Sequence, residues 1–223
     1  MLEFPAAHRK EILELGGAIS VTGNRFLEIF REGDESSFLY LLESGLVKIC
    51  ARGSGDQEIV LRVLGPGGVF GLAGLLGDLP RTAHAVALSR VNIMAVPRGA
   101  VLDYCRHHPD FWAFLAKLLA DHQAGLYRKI RMLVLHDVRY RLLSCLIELS
   151  EICGPDAPGS PIYSIPLSQE DLALIVGATR ETTSNKLNEL ARRKLVILGR
   201  RRVVIGSLDN LRADLDGRFS AIA

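Results

Sequence analysis

The chain has 223 residues, is 48% hydrophobic and carries a net charge of +2, so it can build a sizeable core and is not a disordered polymer. The charge of the whole chain indicates no class of partner, because 27 basic residues nearly balance 25 acidic ones. The four cysteines form no CxxC pair, the N-terminus lacks the apolar core of a signal peptide, and the most apolar helical run is too short to cross a bilayer. We therefore expect a reduced, soluble, cytoplasmic protein with no membrane partner.

Residues 20–97 predict a small antiparallel β-roll. Short apolar runs alternate with Gly and Pro at the spacing typical of a barrel or sandwich. The run FLYLLESGLVKIC predicts a hairpin with its turn at Glu43-Ser44-Gly45. Within AHAVAL, residues Ala83, Ala85 and Ala87 share one face of a strand, because side chains alternate across it. About the first 20 residues predict a helix instead.

From Pro109 the hydrophobic period becomes helical. Apolar residues recur at spacings of three and four as far as Leu133, and neighbouring aromatic residues widen the apolar surface. So broad a surface can bury one face against the β-roll and the other against a second copy of the same helix. Burial within a single chain is the alternative, and we favour the dimer. The predicted dimer-helix residues are Leu115, Leu119, Leu126, Ile130 and Leu133.

After a second helix over residues 138–152 and a loop rich in Pro and Gly, the chain predicts a helix-turn-helix. Ser168 is the expected N-cap of a short helix, with Asp171 as its capping-box partner. Gly177 suits the sharp turn that follows, since a positive φ costs little without a Cβ. Thr179 then caps the next helix, and a two-stranded wing closes the folded part. This arrangement reads DNA in many proteins.

Basic residues concentrate in the same part of the chain. Residues 180–202 hold eight basic residues against two acidic ones, a net charge of +6, which is typical of polyanion binding. Arg180 and Glu181 begin the second helix, where Arg can bond guanine and Glu can accept from the amino group of cytosine. The basic runs Arg192–Lys194 and Arg200–Arg202 suit phosphates. The alternative, a solvated face with a basic hairpin tip, accounts less well for the helix-turn-helix spacing.

In the order of its parts the chain resembles the Crp/Fnr superfamily of bacterial transcription regulators. The resemblance covers about residues 20–206 and is most specific in FREGDESSFLYLLESGLVKI, GPGGVFGLAGLLGDLPRTAHAVAL and LSQEDLALIVGATRETT. It implies an α+β fold: an N-terminal antiparallel β-roll of the cyclic-nucleotide-binding type over residues 1–108, a long dimerisation helix over 109–137 and a C-terminal winged helix-turn-helix over 138–223.

For DNA, the resemblance implies that Arg180 and Glu181 read bases, while residues of the first helix and the wing contact the backbone. Asn185 stands where the best-known branch of the family has Arg, so the base read there is open. A homodimer on a palindromic operator is implied, with recognition helices about 34 Å apart. RNA polymerase is implied as the downstream partner. The full set of implied DNA-binding residues is Ser168, Gln169, Arg180, Glu181, Thr182, Asn185, Lys186, Arg200, Arg201 and Arg202.

The implied effector site departs from the pattern that binds cyclic AMP. Gly71, Arg81 and Thr82 match the family's phosphate-binding cassette, so the site can still hold an anion. Leu72 stands where the family's Glu accepts the ribose hydroxyl. A buried hydroxyl without a partner costs about 1–3 kcal/mol, which weighs against cyclic AMP.

Two further positions of the effector site also differ. Leu126 and Tyr127 stand where a Thr-Ser pair would meet adenine. Three states stay open: cyclic AMP, another small anionic or nucleotide effector, and a dimer that needs no effector. An ion pair of Arg81 with Asp78 or Asp103 is the purely structural alternative.

The sequence predicts no metal, haem or catalytic centre. Cys105, His107 and His108 lie close together but lack a fourth ligand. No Cys precedes Cys50, which disfavours the iron–sulfur cluster of one branch of the family. No catalytic triad, P-loop or HExxH motif occurs, so an enzyme is not expected. The alternative function is a cyclic-nucleotide-binding-like regulatory module of a larger assembly, which needs no base-reading pair.

Overall fold

The computed structural model describes residues 5–14, 17–55 and 57–219. The chain forms two compact units, Met1–Arg128 and Lys129–Ala223. Among the described residues, no helix is both long and apolar enough to cross a membrane. The predicted combination of a β-roll, a long helix and a winged helix-turn-helix is confirmed.

Two antiparallel four-stranded sheets form the β-roll of the first unit. The first sheet has the order β1 (Ile19–Gly23), β8 (Val91–Pro97), β3 (Phe38–Ser44) and β6 (Val69–Phe70). The second has the order β2 (Glu28–Phe30), β7 (His84–Ala87), β4 (Val47–Arg52) and β5 (Glu58–Leu64). The core between the sheets includes the aromatic side chains of Phe30, Tyr40 and Phe70, packed against the small residues Ala85 and Ala87.

The predicted hairpin over residues 38–50 is wrong. β3 pairs with β6 and β8, whereas β4 pairs with β5 and β7, so the turn at Gly45 carries the chain from one sheet to the other. Gly45 has a φ of 87°, and a Cβ there would lie 2.1 Å from the carbonyl oxygen of Arg90. The apolar runs predicted two strands correctly, but alternation does not specify the partner of a strand.

Helices cover the other side of the first sheet. They are α1 (Ala6–Glu14), α2 (Leu72–Gly77), α3 (Arg98–His107) and α4 (Pro109–Leu135). The predicted N-terminal helix is confirmed over α1, while residues 1–4, 15 and 16 lie outside the described residues and β1 already begins at Ile19. The core between the sheet and these helices contains Leu39, Leu72, Val101, Phe111 and Leu115.

The second unit continues from the end of α4 through α5 (Val138–Cys153). The helix-turn-helix consists of α6 (Gln169–Val176) and α7 (Arg180–Arg192). The wing contains β10 (Val196–Gly199) and β11 (Arg202–Ile205), and β9 (Tyr163–Ile165) joins it to give a sheet of order β10-β11-β9.

The sequence predicted that the folded part ends at the wing, and this prediction is wrong. A further helix, α8 (Leu208–Phe219), follows and packs against α5, with Leu211 fully buried. Its sequence is mostly polar, so hydrophobic periodicity gives it little weight. β9 was missed for a similar reason, because three residues are too short to show alternation.

Candidate nucleic-acid interface and sensor site

Side-chain caps fix both helices of the helix-turn-helix. The Ser168 hydroxyl accepts the backbone N–H of Asp171 at 3.2 Å, and the Asp171 carboxylate accepts the backbone N–H of Ser168 at 2.8 Å. Gly177 ends α6 with a φ of 66°. Thr179 then accepts the N–H of Thr182 at 3.2 Å and starts α7. The predicted capping box, positive-φ turn and second cap are therefore confirmed.

One face of α7 is presented to solvent. Arg180 and Glu181 in its first turn are exposed, and neither has a hydrogen bond or ion pair to a described residue. Asn185 lies one turn beyond Glu181 and is also exposed. The opposite face is buried through Thr183, Leu187 and Leu190. The predicted base-reading side chains are thus free to contact a ligand.

A groove of about 290 Å³ lies between the start of α6, the start of α7 and the wing. It brings together several predicted DNA-contacting residues: Ser168, Gln169, Arg180, Arg201 and Arg202. Its lining also includes the carboxylate of Glu170. Three guanidinium groups beside the N-terminus of a helix form a surface that attracts phosphate oxygens.

Most of the basic residues in the segment 180–202 have no carboxylate partner. Two do: Lys186 Nζ lies 2.9 Å from Glu189 Oε2, and Arg193 pairs with Asp214. The other basic residues are exposed and form no ion pair with a described residue. They are Arg180, Arg192, Lys194, Arg200, Arg201 and Arg202.

Four of the residues predicted to contact the DNA backbone are therefore engaged inside the protein. One is Ser168, whose hydroxyl donates to the Asp171 carboxylate at 2.6 Å. Lys186 already holds a carboxylate, and Arg193 in the predicted phosphate-binding run is paired as well. Thr182 belongs to the N-cap of α7, where its hydroxyl oxygen accepts from Thr179 Oγ1 at 2.9 Å. Side-chain pairing within the fold explains why these residues differ from the prediction, because a count of charges along the sequence does not show which of them are paired.

The predicted phosphate-binding arginine of the β-roll, Arg81, is 4% exposed. Its Nη1 donates to the carbonyl of Gly71 at 2.7 Å and its Nη2 to the carbonyl of Phe38 at 2.6 Å. The guanidinium carbon lies 4.4 Å from the centre of the Phe30 ring and 5.3 Å from that of Tyr40. Burial lowers the pKa of Arg81 below its ordinary value. Its charge therefore faces backbone carbonyls and aromatic rings.

The ion pair considered as an alternative for Arg81 does not form. Asp78 lies 2.9 Å from Arg98, and Asp103 lies 3.0 Å from Arg106. Gly71 is held close to Arg81, because a Cβ on this residue, whose φ is 81°, would lie 2.5 Å from Nη1. Gly71 and Arg81 lie next to each other, but the guanidinium of Arg81 is bonded to backbone carbonyls and not to an acidic side chain.

The other predicted effector residues lie in different environments. Leu72 is buried in the core between the first sheet and the helices, whereas Thr82 is exposed. Leu126 and Tyr127 are exposed on α4, and the Tyr127 hydroxyl accepts a hydrogen bond from Gln123 at 2.8 Å. Of these four side chains, none has a hydrogen bond to Arg81 among the described residues.

The predicted dimer-helix residues divide into buried and exposed members. Leu115 is fully buried in the core of the first unit, and Leu119 is partly buried against the same core. Leu133 is partly buried; a Cβ on Gly177 would lie 2.8 Å from its Cδ2. An exposed apolar strip remains on the C-terminal half of α4, formed by Leu126, Tyr127, Ile130, Val134 and Leu135.

His122 is a half-buried polar residue of α4. Its Nε2 has no hydrogen-bond partner among the described residues. Burial and, to a smaller extent, the nearby positive charge of Arg62 lower its pKa to about 4, against the opposing effect of Asp121. The ring is consequently neutral at pH 7.

The buried thiols offer no reactive centre. Cys50, Cys105 and Cys145 are buried, and burial raises the pKa of each thiol; for Cys50 and Cys105 it reaches about 11. A thiol with so high a pKa is a poor nucleophile and metal ligand at neutral pH.

Comparison with known proteins links both units to described families. Residues 27–108 match the cyclic nucleotide-binding domain, and residues 140–214 match the Crp-like helix-turn-helix domain. The CRP-like cAMP-activated global transcriptional regulator of Mycobacterium tuberculosis is 29% identical over 183 residues, 82% of each chain. The cyclic AMP receptor protein of Thermus thermophilus is 33% identical over 171 residues, 77% of this chain and 76% of that protein.

A solved structure shows the same fold. FixK2 from Bradyrhizobium japonicum superposes with a TM-score of 0.79 at 19% identity, and the match covers 87% of this chain and 96% of that one. At this level of identity the likeness concerns the fold alone.

Proposed function

Because this chain belongs to the Crp/Fnr family of DNA-binding transcription regulators, which are not enzymes, we propose that it acts as a homodimer on a palindromic operator. One observation carries the proposal. α7, its C-terminal end and the wing present six basic side chains that have no carboxylate partner among the described residues, and three of them, Arg180, Arg201 and Arg202, line a groove at the start of two capped helices. Phosphates are the natural counter-charge for such a surface.

Base reading is assigned to the exposed face of α7. Arg180 can donate two hydrogen bonds to O6 and N7 of guanine, and Glu181 can accept from the amino group of cytosine. Asn185, one turn further, can pair with N6 and N7 of adenine. The groove residue Gln169 and the wing arginines Arg200–Arg202 would hold phosphates, which set affinity and its salt dependence.

Dimerisation is assigned to the exposed apolar strip on α4. Apolar side chains on one helix face are rarely left in water, and a second copy of the same helix covers such a strip symmetrically. A two-fold dimer places two recognition helices on successive turns of a palindrome, about 34 Å apart. RNA polymerase would be the downstream partner, and the cytoplasm of a bacterium, which holds the chromosome, the place of action.

The β-roll is proposed to work without cyclic AMP, although two of the relatives are named for it. The terminal nitrogens of Arg81 each donate to a backbone carbonyl, of Gly71 and of Phe38, and the guanidinium is buried, so a cyclic phosphate would have to compete for a group that already has partners. Leu72 offers no acceptor for a ribose hydroxyl and fills the core instead. Another small effector, or none, would then set the DNA-binding state of the dimer. Calorimetry with cyclic AMP should show almost no heat, and binding at micromolar concentration would contradict this part of the proposal.

The experiment that tests DNA binding is a gel-shift titration of the full chain against labelled genomic fragments at several salt concentrations. A subset of fragments should be bound much more tightly than the rest, with affinity falling steeply as salt rises. Absence of salt-sensitive, fragment-selective binding would favour the rival function, a regulatory module of a larger assembly.

A further inference from the structure

A carboxylate on the C-terminal helix α8 holds the end of α7. The Asp214 side chain is 8% exposed and pairs with Arg193, the residue at the C-cap of α7. The other oxygen of Asp214 lies 2.5 Å from Nη2 of Arg139, in the first turn of α5. One buried acid therefore connects three helices of the second unit.

The ion pairs continue from Asp214 back into α7. Arg139 Nε lies 3.6 Å from Glu189 Oε1, and Glu189 Oε2 accepts a hydrogen bond from Lys186 at 2.9 Å. The hydrogen bond from Lys186 lowers the pKa of Glu189, so this acid stays ionised at neutral pH. Cations and carboxylates thus alternate from Arg193 to Lys186, and each end of the series is a basic residue of α7 or its cap.

The position of Arg193 gives the pairing a functional meaning. Arg193 lies between Arg192 and Lys194, both of which are exposed and have no ion pair to a described residue. About half of its own side chain, 47%, is exposed. Without Asp214 it would become a further mobile cation beside two free ones, on the surface assigned to the DNA backbone.

We propose that Asp214 is a positioning residue that determines specificity: it withholds Arg193 from phosphates and fixes the end of the recognition helix. The inference rests on the proposed DNA-binding function. Each cation that newly contacts a phosphate steepens the dependence of affinity on salt, by about 0.9 in the slope of log K against log salt, and it does so on any sequence. By engaging Arg193, Asp214 keeps sequence-independent binding low and leaves discrimination to Arg180 and Glu181.

The test compares Asp214→Asn with Asp209→Asn in the full chain. Both variants remove one negative charge from α8, but Asp209 is exposed, and its nearest cation is Arg212 on the same helix at 3.8 Å. Asp214→Asn should raise affinity for random duplex DNA by about 3- to 10-fold at low salt and steepen the salt slope by about one. The ratio of specific to random binding should fall, while Asp209→Asn should change each quantity by less than about twofold.

A second pair of variants keeps the test valid if Asp214→Asn folds poorly. Arg192→Gln should weaken binding to random DNA and reduce the salt slope by about one, whereas Arg193→Gln should change neither, because its charge is already paired. In the Arg193→Gln background, Asp214→Asn should no longer steepen the salt slope. In the wild-type background, Asp214→Glu keeps the carboxylate and should retain the wild-type ratio of specific to random binding.

Three outcomes would overturn the inference: equal losses on specific and random DNA in Asp214→Asn, an effect no larger than that of Asp209→Asn, or a loss in Arg193→Gln as large as that in Arg192→Gln. Failure of the proposed function is a separate result, because the wild-type chain would then show no salt-sensitive DNA binding.

Discussion

Arg81 in the β-roll and Arg180 in the helix-turn-helix match the patterns of the same family, yet their environments are opposite. Arg81 is buried, bonded to two backbone carbonyls and packed against two aromatic rings. Arg180 is exposed, with no ion pair or hydrogen bond to a described residue. A motif specifies the residue type at a position, whereas the fold decides whether its donors face the interior or a ligand.

The same contrast extends to the charged surfaces of the two units. In the β-roll, Glu28 lies 2.6 Å from Arg31 and 2.9 Å from Arg52, and Lys48 pairs with Glu58, so each of these three cations has a carboxylate partner. In the second unit, the arginines of the wing and of the first turn of α7 have no ion pair within the part of the chain that the structure describes. Free charge, rather than the number of basic residues, therefore indicates the surface that binds a polyanion.

The largest effect is expected from Arg81→Ala. It removes two buried hydrogen bonds and leaves the carbonyls of Gly71 and Phe38 without this donor, so the free energy of unfolding should fall by about 3–4 kcal/mol. Urea unfolding of the full chain measures it. Arg90→Ala, at an exposed arginine of the same unit, is the control and should cost less than about 0.5 kcal/mol. A loss below about 1 kcal/mol in Arg81→Ala would mean that this arginine is free to serve a ligand.

Ile130→Glu should weaken the proposed dimer by about 2–3 kcal/mol, because it places a charge from each chain in an apolar interface. Sedimentation equilibrium at several concentrations measures the change. Arg128→Glu is the control, at an exposed position of the same helix that faces away from Ile130. An unchanged dimer in Ile130→Glu, or an equal effect of both variants, would place the interface elsewhere.

Arg180→Ala should weaken binding to the cognate site by about 1–3 kcal/mol and leave binding to random DNA nearly unchanged, since a base contact carries sequence information. Arg192→Ala should lower both affinities together, because a phosphate contact does not discriminate. Fluorescence anisotropy with the two duplexes separates these outcomes. Equal losses on both DNAs would remove Arg180 from base reading.

The smallest effect concerns His122. Its pKa, about 4 in the folded chain, lies below the ordinary value of 6.5, so the unfolded chain binds more protons between these values. Stability should therefore fall as the pH drops from 6.5 to 4, by roughly 1–2 kcal/mol for this ring after solvent screening. His122→Leu should flatten that part of the profile. Parallel profiles for the variant and the wild type would show that the ring is not held neutral by burial.

Local chemistry predicted most of the second unit. Ser168, Gly177 and Thr179 each act on their own helix end, so the sequence alone locates the helix-turn-helix. Partners distant in sequence could not be predicted in this way. The strand pairing after Gly45, the carbonyls that receive Arg81 and the acid that receives Arg193 all depend on chain folding over tens of residues. Helix α8 was not predicted because its buried face is narrow and its sequence is mostly polar.

The most direct test of paired, base-reading recognition helices is selection of binding sites from a random-sequence duplex library by the full chain. We expect an enriched palindrome whose half-sites are centred about 10–11 base pairs apart, and we expect Arg180→Ala to lose that enrichment. Enrichment of no sequence, or of the same palindrome by Arg180→Ala, would contradict it.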